Sequence, residues 1–106
     1  MLRPNEIGAL KELRAILESE FRVVELRLFG SKARGDDQED SDIDVMVVLE
    51  DYNPVIESRI DDIAFEVGLR NNCLISLTIF GKKEIENGPL DESPLYKRVR
   101  EEGISI

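Results

Sequence analysis

The sequence predicts an α/β (α+β) fold, in which a small mixed sheet of three to four strands is covered by helices, mainly on one face. Three observations lead to this prediction. The 106 residues, of which 42% are hydrophobic and 35% charged, suit one folded domain over residues 1–106. Two long segments carry apolar residues at helical spacing, and three shorter segments are rich in alternating or continuous apolar residues. These segments alternate along the chain, as they do in layered α/β architectures.

The N-terminal segment is predicted to form a helix from Pro4 to Ser19, because proline suits a first turn and apolar residues follow at steps of three and four. This apolar stripe contains Ile7, Leu10, Leu13, Ile16 and Leu17. A strand then covers 23–29, and alternation assigns its side chains to two faces. The core face contains Val24, Leu26 and Leu28, and the opposite face contains Glu25 and Arg27.

The next segment is predicted to connect two strands through a short helix and a polar loop. Gly30 ends the first strand, 31–34 begins the short helix, and 35–41 forms the loop. Residues 43–49 are almost continuously apolar, which is typical of a strand in the centre of a sheet.

The C-terminal half is predicted to contain a helix over 55–70, a strand over 73–80 and a short helical turn over 81–86. Ser93-Pro94 suits the start of a final helix, which Gly103 ends. Residues 104–106 are then expected to form a short edge strand.

Composition limits the classes of function. A net charge of −9 disfavours binding to duplex nucleic acid, but permits a small phosphate ligand held through metal ions or a basic protein partner. No apolar run approaches the ~20 residues that span a membrane, and the N-terminus lacks the apolar core of a signal peptide. Cys73 is the single cysteine and histidine is absent, which excludes an internal disulfide and a zinc cluster. We therefore expect a cytoplasmic protein.

One stretch, Leu28 to Val48, carries the candidate chemistry. Asp42 and Asp44 lie two apart at the head of a predicted strand, so both carboxylates point the same way, roughly 6.5–7 Å apart. Like charges held together repel unless a cation lies between them. Mg²⁺ is the expected cation, as one or two ions, because it binds a few carboxylates together with phosphate oxygens.

Gly30 and Ser31 supply the complementary half of this site. Glycine lets a phosphate approach the backbone, and the serine hydroxyl and the helical N–H groups that follow can bind it. Lys32 and Arg34 are expected to add positive charge. A P-loop is excluded because Asp36 and its neighbour follow the glycines, and an EF-hand is excluded because serine replaces the required glycine. An isolated Asp-x-Asp is more often a solvated acidic loop, but the Gly-Ser pair ten residues upstream favours a site.

This pattern resembles that of the minimal nucleotidyltransferases, small members of the DNA polymerase beta-like superfamily. The resemblance rests on Gly30-Ser31, ten intervening residues and Asp42-x-Asp44, within GSKARG and SDIDVMVV, and extends to the ending SPLYKRVREEGISI. It implies a compact α/β palm that uses Mg²⁺ and a nucleoside triphosphate, usually ATP. The reaction transfers a nucleoside monophosphate to a hydroxyl and releases pyrophosphate.

The resemblance also implies roles and partners. Asp42 and Asp44 would be the catalytic metal ligands, and Gly30 and Ser31 would bind the triphosphate, with Arg34 beside them. Many relatives are encoded beside a HEPN-type partner and act as antitoxins, some by adenylylating a tyrosine of the toxin. A homo-oligomer is also compatible with the sequence.

One departure from the family pattern concerns a third carboxylate, which active members usually carry on a later strand. Here the equivalent position is expected to be Ser76, with Thr78 as the next candidate, and neither is acidic. Glu66 or Glu84 are alternative sources of a carboxylate. Two hypotheses follow: an active Mg²⁺-dependent nucleotidyltransferase, or a catalytically weakened nucleotide-binding antitoxin that acts by complex formation. A plain interaction domain without nucleotide is a third.

Two further features of the sequence each allow two interpretations. Tyr52 either stacks on a nucleotide base or packs a turn. Lys97, Arg98 and Arg100 form a small basic face that is either solvated or binds a partner.

Overall fold

The computed structural model describes residues 2–36, 41–87 and 94–106. Its elements are α1 (Pro4–Glu20), β1 (Val23–Phe29), α2 (Gly30–Arg34), β2 (Ile43–Leu49), α3 (Pro54–Arg70), β3 (Ile75–Gly81), α4 (Lys82–Asn87), α5 (Pro94–Glu102) and β4 (Ile104–Ser105). The predicted order of elements is confirmed, and each boundary lies within two residues of its prediction. Parts of the predicted loops, 37–40 and 88–93, lie outside the described residues.

The four strands form one mixed sheet in the order β3-β2-β1-β4. β1 pairs with β2 and with β4 in antiparallel orientation, whereas β2 pairs with β3 in parallel orientation. β2 therefore has a neighbour on each side, as its continuous apolar sequence predicts. The antiparallel β1–β2 pair brings the end of β1 beside the start of β2, and this juxtaposition positions the candidate site.

The first face of the sheet is covered by α1 and α3, which pack against each other, α1 on β1 and α3 on β3. α3 begins at the cap residue Asn53, whose side-chain oxygen accepts a hydrogen bond of 2.9 Å from the N–H of Ile56. The buried side chains include Leu13, Leu17, Leu28, Val45, Val47, Ile60 and Val67. Burial of each such side chain contributes about 1.5–3 kcal/mol.

The second face carries a smaller cluster, which α4 and α5 cover. Met46 and Val48 of β2 pack there against Ile85 of α4 and Val99 of α5. The two 17-residue helices thus lie on one face, as predicted, but the other face also has its own helical cover. Asp44 shares this second face with Met46, because side chains two apart on a strand point the same way.

Two residues predicted for the core, Val24 and Ile7, are more exposed than expected. Val24 is 46% exposed, because a register shift between Val23 and Glu25 rotates the start of β1 and turns Val23 towards the core instead. Ile7 is 42% exposed at the margin of the α1 stripe, and Phe65 is 62% exposed on the outer side of α3. Within the described parts of the chain, no helix combines the length and the apolar character needed to cross a membrane.

Candidate functional site

The two halves of the predicted site meet where β1 ends and β2 begins. Phe29 pairs with Asp44 across the two strands, and Gly30 follows directly with a positive φ of 73°. A Cβ atom added to Gly30 would lie 3.1 Å from Cγ of Asp44 and would overlap its Oδ2 atom. Only glycine therefore permits both this backbone conformation and this carboxylate position. The predicted convergence of Gly30 and Asp44 is present in the fold.

Asp42 and Asp44 form an acidic pair at this corner. Asp42 is exposed just before β2, and Asp44 is half-buried within it. Burial raises the pKa of Asp44, the charge of Asp42 raises it further, and Arg34 lowers it. Among the described residues, neither carboxylate accepts a hydrogen bond or forms an ion pair. The two negative charges therefore repel each other, and a bound cation would offset this repulsion.

α2 places Arg34 close to this acidic pair. Arg34 is exposed, and its Nε atom lies 3.2 Å from Asp36 Oδ2 in an ion pair open to solvent. The helix ends at Gly35, whose φ of 82° is left-handed and whose N–H donates to the carbonyl of Ser31 at 2.9 Å. Ser31 itself is half-buried in the single turn that separates Gly30 from Arg34.

Lys32 does not add charge to the phosphate side of the site, so that expectation is wrong. Its side chain is fully buried, and Nζ lies 2.9 Å from Oε2 of Glu6. The other carboxylate oxygen of Glu6 accepts the N–H of Arg3 at 2.8 Å. This buried pair ties α2 to the first turn of α1. No local pattern marks it in the sequence, because it joins two elements that only the tertiary fold brings together.

Ser76 lies beside Asp44 on the parallel neighbour β3, in direct register. It is exposed on the second face of the sheet. Neither alternative acid reaches this point. Glu66 lies on α3, which covers the opposite face, and Glu84 accepts the N–H of Gly81 at 3.2 Å at the far end of β3. Within the described residues, no group of three metal-binding side chains occurs.

The available donors fit one kind of metal site. Mg²⁺ is typically held by one or two carboxylates, with substrate phosphates and water completing its coordination. Asp42 and Asp44 supply two carboxylates of this kind, and their mutual repulsion favours a divalent cation. They would hold the ion only together with a phosphate ligand, because the described chain offers no complete cage of its own.

Tyr52 lies at the opposite end of the sheet from Asp44. Its hydroxyl donates to Oε2 of Glu57 at 2.6 Å, which raises its pKa to about 12. Its Cβ lies 2.9 Å from where a Cβ on Gly81 would be, at the end of β3. Of the two interpretations of Tyr52, the structure supports packing of the turn rather than stacking on a nucleotide base at the acidic corner.

Comparison with known proteins gives a consistent family. Residues 10–104 match the model of the nucleotidyltransferase domain. A protein of Methanocaldococcus jannaschii named "Putative protein adenylyltransferase MJ0141" is 38% identical over 88 residues, which cover 81% of this chain and 85% of the relative. Another from the same organism, "Putative protein adenylyltransferase MJ0604", is 35% identical over 102 residues, or 93% of this chain and 95% of the relative.

Two solved structures share the fold. One, described as "Structure of putative minimal nucleotidyltransferase", has a TM-score of 0.64 at 20% identity and matches 98% of this chain and 97% of its own. The other, "Crystal structure of the toxin-antitoxin with AMP-PNP", has a TM-score of 0.61 at 16% identity and matches 90% of this chain and 69% of its own. With the family model spanning residues 10–104, the chain belongs to the nucleotidyltransferase domain family.

Proposed function

We propose that this protein transfers a nucleoside monophosphate from ATP to a hydroxyl group and releases pyrophosphate, in a reaction that depends on Mg²⁺. The observation that supports it most is the contact of Asp44 with Gly30, since it joins an unpaired acidic group to a backbone that a phosphate can approach. Family membership supports the same chemistry.

The residues of the corner have separate roles in this proposal. Asp42 and Asp44 hold the cation, Gly30 and Ser31 bind the polyphosphate, and Arg34 neutralises part of its charge. When bound, Mg²⁺ supplies positive charge to the phosphate oxygens and aligns the reacting groups. The acceptor oxygen forms a bond to the α-phosphorus as the bond to the bridging oxygen of the β-phosphate breaks. The acceptor releases its proton to solvent water, and pyrophosphate leaves.

The acceptor in this proposal is a hydroxyl of a protein partner, such as a tyrosine of a HEPN-type toxin. Two relatives are named as protein adenylyltransferases, and one structure with the same fold is described as a toxin–antitoxin complex with AMP-PNP.

A second candidate function follows from Ser76. A serine beside Asp44 neither binds Mg²⁺ strongly nor accepts a proton near neutral pH. Under this alternative, the protein binds nucleotide but neutralises its partner by forming a complex, with little or no transfer. The two candidates predict the same nucleotide affinity and differ in turnover.

Incubation with labelled ATP, Mg²⁺ and the protein encoded beside this one distinguishes the candidates. Transfer of label that Asp44→Asn abolishes supports the enzyme. The matched control is Asp51→Asn, which alters an exposed aspartate at the other end of β2 and should leave transfer unchanged. An intact complex without transfer supports the second candidate. If ATP with Mg²⁺ does not raise the thermal stability of the protein, both fail, because a ligand specific to the folded state must stabilise it.

A further inference from the structure

A small pocket of about 140 Å³ opens beside Gly30 on the second face of the sheet. Phe29, Leu95 and Val99 contribute its apolar lining, and Arg34 and Arg98 contribute its cationic side chains. Arg34 comes from α2 and Arg98 from α5, so the pocket exists only because α5 packs across the end of β1. Two guanidinium groups from separate elements thus flank the glycine that touches Asp44.

The structure divides the basic face of α5 into residues with different surroundings. Arg100 binds both carboxylate oxygens of Glu25 at 3.1 Å, and its guanidinium lies 5.9 Å from the centre of the Tyr96 ring. Arg98 lines the pocket and, among the described residues, forms no ion pair. Lys97 is exposed and does not line the pocket. Arg100 therefore stabilises the fold, whereas the charge of Arg98 is available to a ligand.

We propose that Arg98 binds the terminal phosphates of the nucleotide together with Arg34, so that this pocket selects a nucleoside triphosphate over a monophosphate. This inference rests on the proposed function. An arginine can donate two parallel hydrogen bonds to phosphate oxygens, which gives both affinity and orientation. In a chain with a net charge of −9, a local pair of guanidinium groups offsets the unfavourable overall field for a polyanion.

Glu102 provides a second test of the same pocket, because it lines this pocket one helical turn after Arg98. Its negative charge opposes an anionic ligand. Removal of the Glu102 charge should therefore tighten triphosphate binding, whereas removal of the Arg98 charge should weaken it. Changes of opposite sign from neighbouring residues are not expected if α5 has only a structural role.

The test measures dissociation constants for ATP and for AMP, each with Mg²⁺, by calorimetry. Arg98→Ala should weaken ATP binding about tenfold or more, as expected for loss of a charge-assisted contact, and should change AMP binding less than twofold. Arg98→Lys should recover part of the ATP affinity, and Glu102→Gln should increase it. The matched control Lys97→Ala, on the same helix, should bind both nucleotides as the wild type does.

Two outcomes would overturn the inference while leaving the proposed function intact: ATP binding by Arg98→Ala at wild-type affinity, or an equal loss of ATP and AMP. Failure of the wild type to bind ATP with Mg²⁺ would instead remove the proposed function and this inference with it. Because Arg98 is exposed, its substitution should leave the melting temperature without nucleotide unchanged, and this measurement excludes a folding defect.

Discussion

The acidic side chains at the two ends of the central strand β2 differ in whether they have partners. At the end that follows Leu49, Asp51 pairs with Arg22 at 3.2 Å, Glu50 pairs with Lys82 at 3.6 Å and Glu57 accepts the hydroxyl of Tyr52. At the Asp44 end, neither Asp42 nor Asp44 has such a partner among the described residues, and burial raises the pKa of Asp44.

This contrast distinguishes acidic groups that make contacts within the fold from acidic groups that are available to bind a ligand. Surface charges that have a partner contribute little to the free energy of unfolding. Two neighbouring carboxylates without a cationic partner, beside a glycine of positive φ, lower it. Such a cost persists where binding or chemistry requires it, and perturbed carboxylates in clefts are candidates for function on that ground.

The largest expected effect concerns a buried ion pair at the Asp44 end, between Lys32 and Glu6. Lys32→Met should lower the free energy of unfolding by about 3–5 kcal/mol, because it leaves the buried carboxylate of Glu6 without its charge partner. Denaturant unfolding measures this loss. The double variant Glu6→Gln/Lys32→Met should recover part of it, since no buried charge remains. A loss similar to that of a surface pair would contradict the anchoring role assigned to this contact.

Ser76→Asp tests whether the Asp44 end lacks a third ligand. It should raise the affinity for Mn²⁺ and the rate of label transfer about tenfold, or ~1.4 kcal/mol, because the new carboxylate would lie in register with Asp44. Thr78→Asp is the control, since it adds the same charge on the same face beside Met46, two residues farther along β3. Equal effects of the two variants on metal affinity would show that net charge, rather than position, is responsible.

Asp44→Asn should stabilise the protein in the absence of metal and nucleotide. Removal of the half-buried charge, and with it of the repulsion with Asp42, is expected to raise the melting temperature by about 2 °C. The pKa of Asp44 is higher in the folded protein than its ordinary value of 3.8, so the folded form takes up this proton first as the pH falls. The penalty is thus fully present near neutral pH and disappears as the pH falls through the raised pKa towards the ordinary range. Melting curves from pH 7 to about pH 4 test this trend, and a gap that widened on acidification would contradict it.

The smallest effect is expected at the other end of β2. Asp51→Asn removes an ion pair whose side chains are 77% and 61% exposed, and it should change the free energy of unfolding by less than about 0.5 kcal/mol. Thermal and denaturant unfolding of this variant provide the baseline for Asp44→Asn. A larger change here would remove the contrast between the two ends.

The parts of the fold that depend on local pattern could be predicted from the sequence. Apolar spacing indicates each helix and strand, and the motif places Gly30 at the end of one strand and Asp44 at the start of the next, which pair in antiparallel orientation. The position of Ser76 was expected from the family resemblance, and the parallel register of β2 and β3 places this residue beside Asp44.

What the sequence could not give depends on packing between distant elements. The register shift that exposes Val24 has no local marker. The burial of Lys32 depends on where Glu6 lies after α1 has docked, and the approach of Arg98 to Gly30 depends on how α5 crosses the sheet. A lysine or an arginine in a polar segment is equally consistent with solvent, with an internal partner and with a ligand.

The missing side chain of Gly30 also limits how this corner can change. The carboxylate of Asp44 occupies the space that a Cβ at position 30 would need, so the two positions are sterically coupled. A larger residue at position 30 would require both a smaller residue at position 44 and a different backbone conformation, because a φ of 73° disfavours side chains, and that exchange removes the acidic group nearest the proposed cation. A single conservative substitution therefore cannot give this corner another ligand arrangement. A change in its chemistry, in evolution or by design, requires changes in the turn and in the strand at the same time.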